Sequence, residues 1–143
     1  MVRQSIWKST CVWESRLLTL EARQYLAGFF DGEGTVGLYY HKGTKAWRPT
    51  IRITQNYSGT ALWQFQVWQQ QFGGGIVVAK RPRLDITLQL QSEASIRMFI
   101  GSIGPYTVLK KAQLHLLLVY LDTRTYPYRI HQQLKAMKRE GRR

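Results

Sequence analysis

The sequence predicts an α+β fold, ordered helix, hairpin, helix, hairpin and helices, with a four-stranded antiparallel sheet. Two observations carry this expectation. The apolar pattern switches between helical and alternating periods along the chain, and each pair of strand-like runs is joined by a short loop of turn-forming residues. A third observation limits the plan to one domain: 143 residues, with no long linker and no second copy of any motif, is about one domain's length. The whole chain, 1–143, is expected to be a single unit with a core from about 20 to 121, an N-terminal extension over 1–19 and a basic tail over 122–143.

Glu21 to Asp31 reads as helix, with Thr19 as a candidate cap and Ala22, Leu26 and Phe29 or Phe30 at helical spacing. Thr35–His41 and Trp47–Gln55 read as strands around "KGTKA", a Gly-containing loop flanked by lysines. Thr60–Phe72 reads as a second helix, capped by Asn56 or Ser58, with Leu62, Phe65 and Phe72 on one face and Gly73 where a helix-ending glycine belongs. Ile76–Lys80 and Arg83–Leu90 form a second hairpin around "RPR". Ser92 caps a short helix bearing Ile96, Phe99 and Ile100, and after "GSIGP" a longer helix is expected from about Val108 to Leu121. The tail keeps a weak amphipathic stripe, Ile130, Leu134 and Met137, before it becomes a basic run.

Strand alternation says which side of the sheet is buried. Leu84, Ile86, Leu88 and Leu90 alternate with Arg83, Asp85, Thr87 and Gln89, and Ile51 and Ile53 alternate with Thr50, Arg52 and Thr54. One face must lie under helices and the other must face out. The outward set is Tyr39, His41, Arg48, Thr50, Arg52 and Thr54 on the first hairpin. Lys80, Arg83, Asp85, Thr87 and Gln89 complete it on the second. It is rich in hydrogen-bond donors and poor in acid, and such side chains read base edges, with arginine suited to guanine and glutamine to adenine.

Charge points the same way. Lysine and arginine number 21 against 8 acids, for a net charge of +13 and a pI near 10.3. A polyanion is the expected partner, either nucleic acid or an anionic membrane surface. The sheet pattern favours nucleic acid, and no amphipathic segment is large enough to anchor on lipid, so no membrane partner is expected. Cys11 is the only cysteine, which excludes an internal disulfide and Cys-rich zinc sites. His41, His115 and His131 are scattered and form no local metal motif. Charged residues interrupt the first 20 positions where a secretion signal would need an apolar run. The longest apolar run, "LLLVYL", falls far short of the roughly 20 residues that span a bilayer. An intracellular location, with DNA, is expected.

The stretch "YLAGFFDGEG", 25–34, is the least ordinary in the chain. Gly28 and Gly32 lie one turn apart on the same helix face. Each costs about 1 kcal/mol relative to alanine inside a helix, so something must compensate, and close approach of a second backbone would do so. Asp31 and Glu33 then sit at the C-terminal end of the helix, where the dipole disfavours a carboxylate. A cation beside them would reverse that preference.

"LAGFFDGEG", 26–34, resembles the signature of the LAGLIDADG homing endonucleases, and one copy in a short chain is similar to their single-motif, homodimeric branch. The element order and the basic, polar sheet face agree with that family's saddle-shaped DNA-binding fold. The resemblance covers about residues 20 to 120. It implies that two such helices pack on a twofold axis through Leu26, Gly28, Phe29 and Gly32. It also implies that Glu33 is the metal-binding carboxylate, that the Gly32 carbonyl is a second ligand, and that Asp31 is mainly structural. "ITQ", 53–55, resembles the place of a polar residue that orders active-site water, which makes Gln55 a catalytic candidate. "PYTVLKKAQ", 105–113, resembles the segment carrying an active-site lysine, which falls on Lys110, with Lys111 the neighbouring alternative. The acid is Glu where the best-known signature has Asp, and "NYSG" after Gln55 lacks an arginine that close relatives carry.

The chemistry fits these residues. Two Glu33 carboxylates brought together on an axis repel, and Mg²⁺, a hard ion held by few carboxylates together with phosphate and water, would relieve the repulsion. It would also assist phosphodiester hydrolysis, while Lys110 offsets transition-state charge and Gln55 orients water. The expected function is therefore that of a site-specific homing endonuclease. It would be metal-dependent and intron-encoded, and as a homodimer it would cut both strands of a long pseudo-palindromic DNA site. The alternative is the same fold without cleavage, as an RNA-binding intron maturase or a DNA-binding regulator. The carboxylate after the motif glycine favours cleavage, because a pure binding module gains nothing from an acid held against phosphates.

Overall fold

The computed structural model describes residues 18–140. Most of the expected N-terminal extension, with Cys11, lies outside these residues. Helix α1 spans Leu20–Glu33, and the Thr19 side chain accepts a hydrogen bond from the Ala22 N–H at its start. Leu26, Ala27 and Phe30 form its buried stripe. The helix passes into strand β1, Gly34–His41, with no loop between them. Glycine is required at that junction because a Cβ on Gly34 would overlap the Phe30 ring and sit 2.6 Å from the Phe30 carbonyl oxygen.

Strand β2, Ala46–Asn56, returns antiparallel to β1, pairing Tyr39 with Arg48 and Thr35 with Arg52. Helix α2, Gly59–Phe72, is capped by Ser58 rather than Asn56. Strands β3, Gly75–Ala79, and β4, Asp85–Leu90, complete an antiparallel sheet of order β1-β2-β4-β3. Helix α3, Glu93–Ile103, is capped by the Ser92 hydroxyl, which accepts from the Ser95 N–H. A short 3₁₀ turn, Gly104–Tyr106, leads toward helix α4, Lys111–Thr123, and helix α5 covers Pro127–Glu140. The chain is thus α+β, with five helices and a four-stranded sheet among the described residues. None of these helices is long and apolar enough to cross a membrane.

The inner sheet face carries Val36, Leu38, Ile51, Ile53, Ile86, Leu88 and Leu90, all buried. The helices close over it, and the Phe99 ring meets Phe30 at 5.2 Å and Phe72 at 5.1 Å, both edge to face. One ring of α3 thereby ties α1 to α2.

Three boundaries differ from the expectation. Lys80 and Arg83 lie in the β3–β4 loop, not in strands, and Leu84 is 45% exposed, because β4 begins only where Asp85 pairs with Asn56 and Ala79. Helix α4 starts at Lys111, not Val108, since the backbone before it is bound to Asp31 instead of turning helically. The core also extends past 121. Helix α5 lies against β1 and α4, and Ile130 and Leu134 are buried with the rest.

That packing is testable. Leu134, 3% exposed, would cost about 2–5 kcal/mol when cut to alanine. A detached tail would lose no more than about 0.5 kcal/mol. Urea denaturation followed by circular dichroism separates the two, and a change in the lower range would detach α5 from the core.

Candidate active site and nucleic-acid face

The end of α1 is fastened to the start of α4 by a carboxylate. Asp31 Oδ2 accepts the Val108 N–H at 2.8 Å and Oδ1 accepts the Lys110 N–H at 3.0 Å, while the Lys110 ammonium donates to the Asp31 carbonyl oxygen at 2.8 Å. Two orphan N–H groups beside a helix start and one orphan carbonyl at a helix end are satisfied together. Asp31 is consequently occupied by the chain's own backbone. Lys111 faces elsewhere, with its ammonium 3.4 Å from the Pro105 carbonyl oxygen. Of the adjacent lysines, only Lys110 turns toward the end of α1.

Beyond this clasp opens a groove of about 1120 Å³ lined by Gly32, Glu33, Gln55 and Lys110. It is larger than the roughly 300–1,000 Å³ of small-ligand pockets. Glu33, the last residue of α1, is exposed and has no hydrogen bond or ion pair among the described residues. Burial lowers the Lys110 pKa from its ordinary value, against the raising pull of Asp31 and then Glu33, and Lys138 lowers it further. Gln55 Oε1 accepts the Asn56 N–H at 2.8 Å, and its NH₂ group has no partner among the described residues, which leaves it available as a donor at the groove. Lys138 was not anticipated. It comes from α5, whose stripe Ile130, Leu134 and Met137 was the signal that this segment packs as a helix.

A hard divalent cation suits this donor set. Glu33 offers a free carboxylate and exposed Gly32 a backbone carbonyl, both hard oxygens. No group of three or more His, Cys, Asp or Glu could form a closed cage among the described residues. Mg²⁺, which keeps waters and phosphate oxygens in its shell, needs no such cage.

The outer sheet face carries the expected row in part. Tyr39, His41 and Arg48 are exposed, and Arg52, Thr54, Asp85, Thr87 and Gln89 are half-buried and face the same side. The Thr54 and Thr87 hydroxyls bond to each other at 2.9 Å, and His41 Nδ1 accepts the Thr44 N–H in the hairpin loop. Thr50 departs from the expectation. It points outward but is 5% exposed, because its neighbours on this face close over it. Lys80 and Arg83 project from the loop, and Arg83 and Asp85 line the groove beside Glu33. Val77, 56% exposed on β3 opposite Thr87, adds an apolar position that alternation on β4 gave no reason to expect.

On α1, Gly28 and Gly32 are exposed, and a Cβ at either would meet nothing within 4 Å. Phe29 is half-buried, its ring edge to face with Trp68 at 5.4 Å. Leu26 cannot belong to the same surface. It is fully buried, about 200° around the helix from Gly28, and faces this chain's own core.

By sequence, no family profile and no curated protein matches the chain. Its fold does have solved counterparts. The homing endonuclease I-CvuI, in complex with the I-CreI target in the presence of Mg, superposes with a TM-score of 0.64 at 19% identity over 80% of each chain. The archaeal intron-encoded homing endonuclease I-Vdi141I, complexed with DNA, gives 0.60 at 16% identity over 80% of this chain and 82% of that one. The LAGLIDADG homing endonuclease I-GzeII, in complex with its DNA target, gives 0.56 at 19%, and the chain spans 43% of its length. The helix that ends in Glu33, the sheet with its donor-rich outer face and the helices closing the inner one together form the fold of the LAGLIDADG homing endonucleases.

Proposed function

We propose that this chain is half of a homodimeric, Mg²⁺-dependent endonuclease, intron-encoded, that hydrolyses both strands of a pseudo-palindromic DNA site inside the cell. The observation that carries the reading is Glu33, an exposed, unpartnered carboxylate at the negative end of a helix, in a groove shared with a lysine, on a chain of net charge +13. Such an acid repels DNA and is disfavoured by its own helix dipole. A bound cation removes both penalties. The solved counterparts with DNA support the same choice of partner.

Glu33 and the Gly32 carbonyl would hold Mg²⁺, which when bound supplies Lewis-acid polarisation of a phosphoryl oxygen. The remaining work belongs to the chain. The sheet face and its basic surroundings bind and orient the duplex. Lys110, held by Asp31, offsets the charge that develops on the phosphate, and the Gln55 NH₂ group can donate to and orient the attacking water. One chain supplies one Glu33, whereas a double-strand break needs two phosphodiesters hydrolysed. A second copy meeting the first along the open Gly28–Gly32 stripe satisfies that count.

Two outcomes are expected. With a plasmid library carrying randomised inserts and Mg²⁺, the wild-type protein linearises a subset of molecules, and Glu33→Gln lowers cleavage roughly a hundredfold or more while the bound fraction persists. Undiminished cleavage by the variant would remove Glu33 from the reaction. Gly28→Leu is expected to leave the isolated fold intact, since a Cβ there meets open space among the described residues and the helix gains about 1 kcal/mol of propensity. It should nonetheless yield monomers in analytical ultracentrifugation and abolish double-strand cutting. A dimeric, active Gly28→Leu protein would place the twofold contact elsewhere.

A further inference from the structure

Gly37 poses a question that its backbone does not answer. It sits in the middle of β1 with no left-handed φ, so any residue could adopt its conformation. The neighbour that occupies the place of its absent Cβ is Tyr39. A Cβ on Gly37 would lie 2.5 Å from both Cζ and Oη of the Tyr39 ring, closer than real contacts allow. The ring therefore lies back along the strand, over the outward side of Gly37. It is braced from the free edge of β1 by His131 of α5, edge to face at 5.8 Å. His131 is itself fixed there, its Nδ1–H donating to the Leu38 carbonyl at 2.7 Å and its ring tilted against Trp47 at 5.8 Å. On the ring stands the Arg52 guanidinium, 5.7 Å from the centroid. Thr50, beside Gly37 in the register, is closed off from solvent on this face.

We infer that Gly37 and Tyr39 are specificity-determining positioning residues that read no base themselves. Tyr39, admitted by Gly37 and braced by His131, is a stacking platform that presents Arg52 to a guanine edge in the major groove. The inference rests on the DNA-reading role proposed above for the sheet. Arginine is suited to such a platform because its planar guanidinium stacks on an aromatic face and leaves its donor fork free. Bidentate recognition of guanine O6 and N7 needs that fork in a fixed plane. A free arginine must lose several side-chain rotations at each encounter, and a stacked one has already lost most of them. Thr50, lying in the same patch, is withdrawn from solvent, and Arg52 is the donor that stands on the ring.

The test is selection from a synthetic pool of randomised DNA duplexes by the purified wild-type protein and by Arg52→Ala, Tyr39→Ala, Tyr39→Phe and Gly37→Ala, in Ca²⁺ in place of Mg²⁺. Arg52→Ala should flatten one base-pair column in each half-site, from roughly tenfold or more in favour of guanine to about twofold. Tyr39→Ala and Gly37→Ala should flatten that same column. Tyr39→Phe should keep it, because the ring without its hydroxyl is still a platform. Adding Gly37→Ala to Tyr39→Ala should change nothing more, as expected of residues acting through one ring. Affinity of the Tyr39 and Gly37 variants for unselected duplex should stay within about threefold of wild type, since none of them removes a charge. Tyr39 is 36% exposed, so Tyr39→Ala keeps the test valid even if Gly37→Ala fails to fold, which thermal melts would reveal. A column unmoved by Tyr39→Ala overturns the platform, and so does a Tyr39→Ala defect in a column different from that of Arg52→Ala, which would make Tyr39 a reader. A wild-type protein that selects no sequence overturns the DNA-reading face itself, whereas a selective wild-type protein with equally selective variants overturns the platform alone.

Discussion

The Asp31 carboxylate is the joint on which the candidate site depends. It lies 77 and 79 positions from the two N–H groups it accepts, and it binds the end of the first helix to the approach of the fourth. Each of those charge-assisted bonds is stronger than a neutral one. Their joint effect is geometric: once the backbone at Val108 and Lys110 is held, the Lys110 side chain is short enough in reach to lie on the Asp31 carbonyl. An ammonium at the last turn of α1 is also the charge that the helix dipole prefers there. The lysine thus partly offsets the unfavourable placement of Glu33, two residues on, without forming a salt bridge to it. Glu33 remains free for an external cation.

Helix α1 carries two stripes of different kind. Leu26, Ala27 and Phe30 belong to the chain's own core, and Gly28 and Gly32 form an open face on which nothing rests among the described residues. The propensity lost at those glycines is not recovered by any contact within the described residues. That is the physical reason for assigning the stripe to a second backbone. Large side chains flank it: Tyr25 is 58% exposed, and Phe29 is held half-buried against Trp68. The glycine floor is therefore a shallow track rather than a flat surface, and a helix axis could approach it closely only along that track.

Much of the architecture was legible because local chemistry and tertiary need agree. Thr19, Ser58 and Ser92 cap the helices that follow them, and strict alternation in Asp85–Leu90 put Ile86, Leu88 and Leu90 inward. The misses have one cause, which is that a pattern shows a face but not what covers it. Periodicity identified α1 yet could not say that Leu26 served its own core. Alternation turned Thr50 outward yet could not show a patch whose larger side chains close over it. The stripe at Ile130 and Leu134 was visible, but nothing local said that β1, an edge strand, needed a helix against it. Lys110 and Lys111 were inseparable by sequence because the backbone bonds to Asp31, in another helix, set which of them turns toward α1.

The direct passage from α1 into β1 ties the candidate carboxylate to the outer sheet face. Glu33 is the last helical residue and Gly34 the first of the strand, with no loop to flex between them. From Gly34, a strand advances about 3.3 Å per residue, so Glu33 and the outward side chains of β1 lie on one rigid ruler. Gly34 makes the passage possible by leaving room for the Phe30 ring, and the edge-to-face contact of Phe30 with Phe99 fixes that ring in the core. An error in core packing at Phe30 would therefore appear as a displaced carboxylate relative to the outer sheet face. This is why, in this fold, the buried stripe of α1 and the exposed Glu33 constrain each other.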